Sequence, residues 1–327
     1  MPVIDIHGHI NLKRPKELLA QKQPPKAEKP VKAGAPKPGG GLTDQSRAPI
    51  LTDVDARLKD MQAMGVDMMA LTPSPPRGYY KLDEALAEEI TRATNDDIAK
   101  IAADHPKQFF AAGNLPLQHV AYSVKELGRM MGELGHKGVR ISTNIAGGEL
   151  SDPRLDPFWA KAEATGAIIW LHPQGFTSPE RMQDYFMTNV VAQPLETALA
   201  LAQMIFGGVF ERYPNLKLCA AHGGGYLPFY LGRFEQAYRE RAECRVNISQ
   251  APEYYVKKLW LDTVVFRPDQ IAFLVNLVGH EKVVMGTDSP YDMGENHPVK
   301  LVNSVPGLSA AQKADILGNN AAKLLGL

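Results

Sequence analysis

Cysteine is scarce in this chain: Cys219 and Cys244 are the only two in 327 residues. That excludes a disulfide framework, and their spacing excludes a structural zinc site built from cysteine pairs. No apolar run approaches the ~18 residues that span a bilayer, and no basic segment followed by an apolar core opens the chain. A cytoplasmic protein with no membrane partner is the expectation. Excess charge is also missing, with Lys plus Arg and Asp plus Glu at 36 each. Bulk attraction to nucleic acid is therefore not expected, and the expected partners are small molecules or further copies of the chain. There is no internal repeat or shift in composition, so residues 1–327 read as one domain. No GxGxxG follows the first apolar run, which disfavours a dinucleotide-binding open sheet.

What is present is a regular alternation. Short apolar runs at 3–10, 66–71, 109–115, 138–141, 167–171, 216–220, 259–264 and 283–286 read as strands. Amphipathic stretches over 53–64, 82–104, 121–134, 156–165, 194–210, 226–244, 269–278 and 310–325 read as the helices that follow them. Eight strand-then-helix units are the number that closes a (β/α)8 TIM barrel. The Lys/Pro/Gly-rich stretch 24–41, PPKAEKPVKAGAPKPGGG, cannot bury apolar surface and is expected to be a long mobile loop inserted after the first strand. It is either a lid over a site or a solvated insertion.

A barrel of this kind gathers its chemistry at the carboxyl ends of its strands. His7 and His9 end the first strand in DIHGH, and residues two apart in a strand share a face and can share one ion. His172 ends the fifth in WLHP, His222 the sixth in AAHGGG, and Asp288 the eighth in MGTDSP. A lone histidine at a strand end is commonly a hydrogen-bonded structural residue. Five metal-type residues on one rim point instead to a metal site. Three imidazoles and a carboxylate suit Zn2+ best, with Mn2+ or Fe2+ as alternatives. The fourth strand, GVRIST, ends without a lysine that could bridge two ions, so one metal per chain is expected. His105, His119, His136 and His280 precede strands or lie in loops and read as surface residues. Gly223, Gly224 and Gly225 after His222 would let backbone N–H groups approach an anion at a helix start.

The segments DIHGH, WLHPQG, CAAHGGGYLPFYLGRF and MGTDSPYDMGE together resemble the amidohydrolase superfamily. More narrowly they resemble the branch that includes aminocarboxymuconate-semialdehyde decarboxylase, and the likeness runs over nearly the whole chain. The resemblance implies a zinc site formed by His7, His9, His172 and Asp288, with His222 close to the metal as a catalytic acid/base and Asp288 counted with it as catalytic. It also implies two arginines on the substrate carboxylate. Arg233, in LGRF, matches the one that reaches a neighbouring subunit's site, which implies a homodimer; Arg47 is the candidate for the other. A tryptophan that lines the substrate pocket of that branch is Asn189 here, which changes what fits.

The function expected from these readings is a metal-dependent, non-oxidative decarboxylase of an unsaturated or aromatic carboxylic acid, with a metal-activated water and His222 as acid/base. The alternative is a metal-dependent hydrolase or hydratase of a ring-cleavage product or lactone. Asp288 favours the decarboxylase, because hydratase-like relatives tend to carry Glu there. A third reading is a silent barrel that binds a ligand, and the complete ligand set together with His222 argues against it.

Overall fold

Parallel strands covered on both faces must be apolar on both, and the short runs rich in Val, Ile, Leu and Ala meet that condition. In the computed structural model, which describes residues 2–22, 45–74, 79–174 and 179–327, they are β1 (Ile4–Asp5), β2 (His9–Ile10), β3 (Met68–Pro73), β4 (Phe109–Asn114), β5 (Gly138–Ile141), β6 (Ile168–Leu171), β7 (Lys217–Ala220), β8 (Trp260–Asp262) and β9 (Val283–Val284). All pair in parallel in chain order, β1 and β2 both lying on β3. The ring closes through Ile6 N–H donating to Met285 O, Asp288 N–H to His7 O and His9 N–H to Ser289 O. The result is an eight-stranded (β/α)8 barrel whose first strand comes in two pieces. The Lys/Pro/Gly-rich stretch 24–41 lies outside the described residues.

The break in the first strand is a bulge. Asp5 is opposite Met69 whereas His9 is opposite Thr72, so three residues on one strand face two on the other. The extra residue bends the strand where it reaches the rim. Gly8 permits it, because a Cβ there would lie 2.6 Å from the Met69 side chain.

Two apolar layers hold the barrel. Inside, Ile4, Ile6, Ala70, Phe110, Ala112 and Ile168 meet Ala321, Leu324 and Leu325 of the final helix, Asn320–Leu325, which plugs the amino end. Outside, helices cover the strands; in Glu84–Asp104 the stripe Leu86, Ala87, Ile90 and Ile98 is buried and Asp83 caps the start by accepting from Leu86 N–H. The helix Val54–Met64 is capped by Asp53 and stopped by Gly65 at φ 72°.

Several expected boundaries shift. The stretch 194–210 becomes Ala192–Phe206 and Val209–Arg212, because Gly208 takes φ 73° between them. The stretch 226–244 becomes a turn at Pro228–Tyr230, the helix Leu231–Glu240 and a second turn at Ala242–Arg245. A helix at Lys13–Lys22 was not evident from pattern, since only Pro15 of its residues is buried and it has no continuous apolar stripe. His136 is no surface residue: it is 2% exposed and its Nε2 donates to Asn95 O at 3.0 Å. His105, His119 and His280 are half-buried.

Candidate metal centre

The rim of the barrel brings His7, His9, His172 and Asp288 together, with one ligand atom of each lying within 4.8 Å of all the others. The Asp288 Oδ1 atom is 2.7 Å from His9 Nε2, 3.3 Å from His7 Nε2 and 3.8 Å from His172 Nε2. His222 Nε2 is 3.5 Å from the other oxygen, Oδ2. Both His7 Nε2 and His172 Nε2 are buried without a hydrogen-bond partner. Buried ring nitrogens left so, facing a carboxylate, fit a divalent ion bound by nitrogen and oxygen donors.

The ring orientations suit ligation. His7 Nδ1–H donates to Asp262 Oδ2 at 2.7 Å, so that Nε2 is the lone-pair atom whenever the ring is neutral. The Thr72 hydroxyl donates to Gly8 O at 2.7 Å and so is free to accept from His9 Nδ1, 3.3 Å away. Arg57, fully buried, holds the rim from below by donating to His9 O and Ile50 O. Asp5 accepts from His7 N–H at 2.8 Å and from the Thr287 hydroxyl at 2.5 Å, tying the first strand to the loop that carries Asp288.

Two rim residues have left-handed backbones, His222 at φ 55° and Asp288 at φ 58°. Such conformations are unfavourable for non-glycine residues and collect at functional sites. Here they turn both side chains toward the same centre. The three glycines after His222 serve that turn and not an anion: Gly223 N–H donates to Asp262 Oδ1, Gly224 N–H to Ala221 O and Gly225 N–H to His222 O. Their φ values of 60°, 80° and 65° are what glycine supplies. The anion site expected from GGG therefore does not form.

Electrostatics of the metal-free cluster are set by burial against pairing. Burial opposes charge on His7, but Asp288 and Asp262 outweigh it and raise its pKa to about 10. Burial lowers His9 to about 3 despite Asp288. Burial and then Arg140 push His172 well below the usual range. Burial also opposes the charge of Asp288, yet His7 and its other histidine neighbours hold it well below the carboxylate range. One proton, on His7 between two carboxylates, thus stands where positive charge is wanted.

Of the predicted substrate residues, Arg47 lies beside the rim, its Nε donating to Pro290 O at 3.1 Å and its Nη2 3.5 Å from Asp60. Arg233 is exposed on the helix Leu231–Glu240, and Asn189 is half-buried in the short helix Met187–Val190. Sequence reasoning missed Asp262 and Arg140. The first lay inside the run 259–264, and only the structure ends that strand at Asp262 and so puts it on the rim. The second is the charged residue inside the run GVRI, a placement that buries it at 5% exposure.

The amidohydrolase family model matches residues 4–327. The 2-amino-3-carboxymuconate-6-semialdehyde decarboxylase of Dictyostelium discoideum is 39% identical over 276 residues, 84% of this chain and 77% of that one. The 5-carboxyvanillate decarboxylase from Sphingomonas paucimobilis superposes with a TM-score of 0.86 at 22% identity, covering 100% of this chain and 99% of that one. The dihydroxybenzoic acid decarboxylase from Polaromonas sp. JS666, solved with bound manganese and the inhibitor 2-nitroresorcinol, superposes at 0.83 with 22% identity, covering 100% of this chain and 97% of that one. At that identity the two structural likenesses speak to the fold. Matched from its fourth residue to its last, the chain belongs to the amidohydrolase family.

Proposed function

We propose that this protein is a metal-dependent, non-oxidative decarboxylase of an unsaturated or aromatic carboxylic acid. The observation that carries the reading is a buried cluster of three histidines and Asp288 with a fourth histidine, His222, 3.5 Å from the same carboxylate. The relative that is 39% identical and bears a decarboxylase name adds to it.

His7, His9, His172 and Asp288 would hold a divalent ion, which would supply Lewis-acid charge to the site. The chain's own residues do the rest. When the bond to the carboxylate breaks, its electron pair stays on an sp2 carbon, CO2 departs, and that carbon must take up a proton. His222 holds that proton: its Nδ1 has no partner, and its other nitrogen faces Asp288. Asp262 fixes the turn that aims His222 and the tautomer of His7 at once. Arg233 acts on a second subunit's substrate in a homodimer; its exposure supports this role. In this reading Arg47 and Asn189 are further substrate contacts. Zn2+ is the resident ion, one per chain, and the protein works in the cytoplasm.

A mass-spectrometric product screen of metal-loaded protein against unsaturated and aromatic carboxylates, lactones and ring-cleavage acids tests this. Metal-dependent loss of CO2 is the expected result. Gain of water without CO2 loss refutes the decarboxylase and moves the protein to the hydrolase or hydratase reading.

A further inference from the structure

Arg140 has a position that the resemblance did not anticipate. It is 5% exposed and lines one small cavity together with His7, His172, Thr72 and Asp262. Its Nη1 donates to Pro73 O at 3.1 Å, its Nη2 lies 2.8 Å from His172 Nδ1, and its Nε has no partner. A guanidinium has five N–H donors, and a buried cation without a carboxylate partner is costly. The contrast with Arg57 is informative, because that guanidinium is enclosed by two carbonyls and the Met69 sulfur and has a purely structural role.

The nitrogen opposite Nη2 sharpens the point. His172 Nδ1 is 2.8 Å from Arg140 Nη2 and 2.8 Å from Pro173 O, yet a ring nitrogen is either a donor or an acceptor. When His172 Nε2 serves an ion, the ring hydrogen sits on Nδ1 and goes to Pro173 O. Arg140 Nη2 then has no acceptor, like Nε beside it. Nε and Nη2 share one edge of the planar guanidinium, two parallel donors spaced for the two oxygens of a single carboxylate.

We propose that Arg140 is the carboxylate clamp supplied by the chain itself, holding a substrate carboxylate along its Nε/Nη2 edge beside the metal centre. The proposal rests on the functional reading above in taking the ligand to be a carboxylic acid. Arg47 differs on the same edge: its Nε is taken by Pro290 O, and its Nη2, which has no hydrogen-bond partner, stands 3.5 Å from the Asp60 carboxylate that already balances its charge.

The test is calorimetric titration of chelator-treated and manganese-loaded protein with benzoate and with its neutral isostere benzamide, comparing wild type with R140Q, R140K and the surface control R154Q. R140Q should weaken benzoate binding by about ten- to a hundredfold, the loss typical of a charged hydrogen-bond pair, and leave benzamide unchanged. R140K, which keeps the charge and loses the fork, should fall between, and R154Q should match wild type. An R140Q protein that melts normally and binds benzoate as wild type does overturns the assignment. So does R140K with unchanged benzoate affinity, which decides the matter if R140Q does not fold. Benzoate titration needs no turnover. An Arg140-dependent benzoate site in a protein that releases no CO2 sinks the decarboxylase reading alone, whereas CO2 release with benzoate binding indifferent to Arg140 sinks the clamp alone.

Discussion

Replacing Asp262 by asparagine isolates one hydrogen bond of the metal centre. The Oδ1 atom of Asp262 accepts from Gly223 N–H at 2.9 Å and Val264 N–H at 3.1 Å, and its Oδ2 accepts from His7 Nδ1–H at 2.7 Å. Two backbone donors pin the carbonyl oxygen of the new side chain on the turn, so the amide NH2 must face His7. An NH2 group accepts nothing; His7 then presents its Nδ1 lone pair to it and carries its hydrogen on Nε2, where the ion binds. Loss of such an orienting carboxylate lowers metal affinity about ten- to a hundredfold, or roughly 1.4–2.8 kcal/mol. Chelator competition with zinc or manganese, read by calorimetry, gives the affinity, and thermal melting confirms that the turn survives. A folded D262N protein with wild-type affinity would refute the tautomer argument and leave Asp262 a structural residue of the turn.

Metal affinity should rise about tenfold per pH unit between pH 6 and 9, because His7, with its metal-free pKa at about 10, must release its proton to bind. Calorimetry in buffers of different ionisation enthalpy should count one proton per ion, and a pH-independent affinity contradicts the charge assignment. His222→Ala should keep its metal, measured by elemental analysis, and lose about 10²- to 10⁴-fold in turnover; an active variant removes His222 as proton carrier. Burial holds folded His136 at about 4, below its ordinary 6.5, so its contribution is complete above pH 6.5 and is lost as pH falls toward 4. The loss amounts to about 3 kcal/mol, and His136→Gln should flatten that part of the stability curve in denaturant titrations at pH 7 and 4.5. Mixed H222A and R233A subunits, each poorly active alone, should recover about a quarter of wild-type activity, since half of random dimers are hybrids with one intact site. No recovery argues against an arginine shared across subunits.

The alternation of apolar runs and amphipathic stretches was enough to number the barrel units, because burial on both faces leaves a local mark in every strand. The rule that polar chemistry follows the strand end then located His7, His9, His172, His222 and Asp288, and the structure brings all five to one centre. What stayed hidden depends on which strands become neighbours. His7 and Asp262 are 255 residues apart and meet only because β8 and β9 bring the end of the barrel round to its beginning. Arg140 looked like one charge in a short strand, and only its inward direction and its shared contact with His172 reveal a role. The left-handed backbones of His222 and Asp288 leave no trace in composition, since no local preference produces them and surrounding hydrogen bonds hold them in place. The sequence by itself determined the barrel, its rim and the donor types, all of which follow from periodicity and residue chemistry. Tertiary structure alone decided the orientation of each donor, the engagement of the Gly223 amide by Asp262 and the burial of His136, because these depend on partners far along the chain.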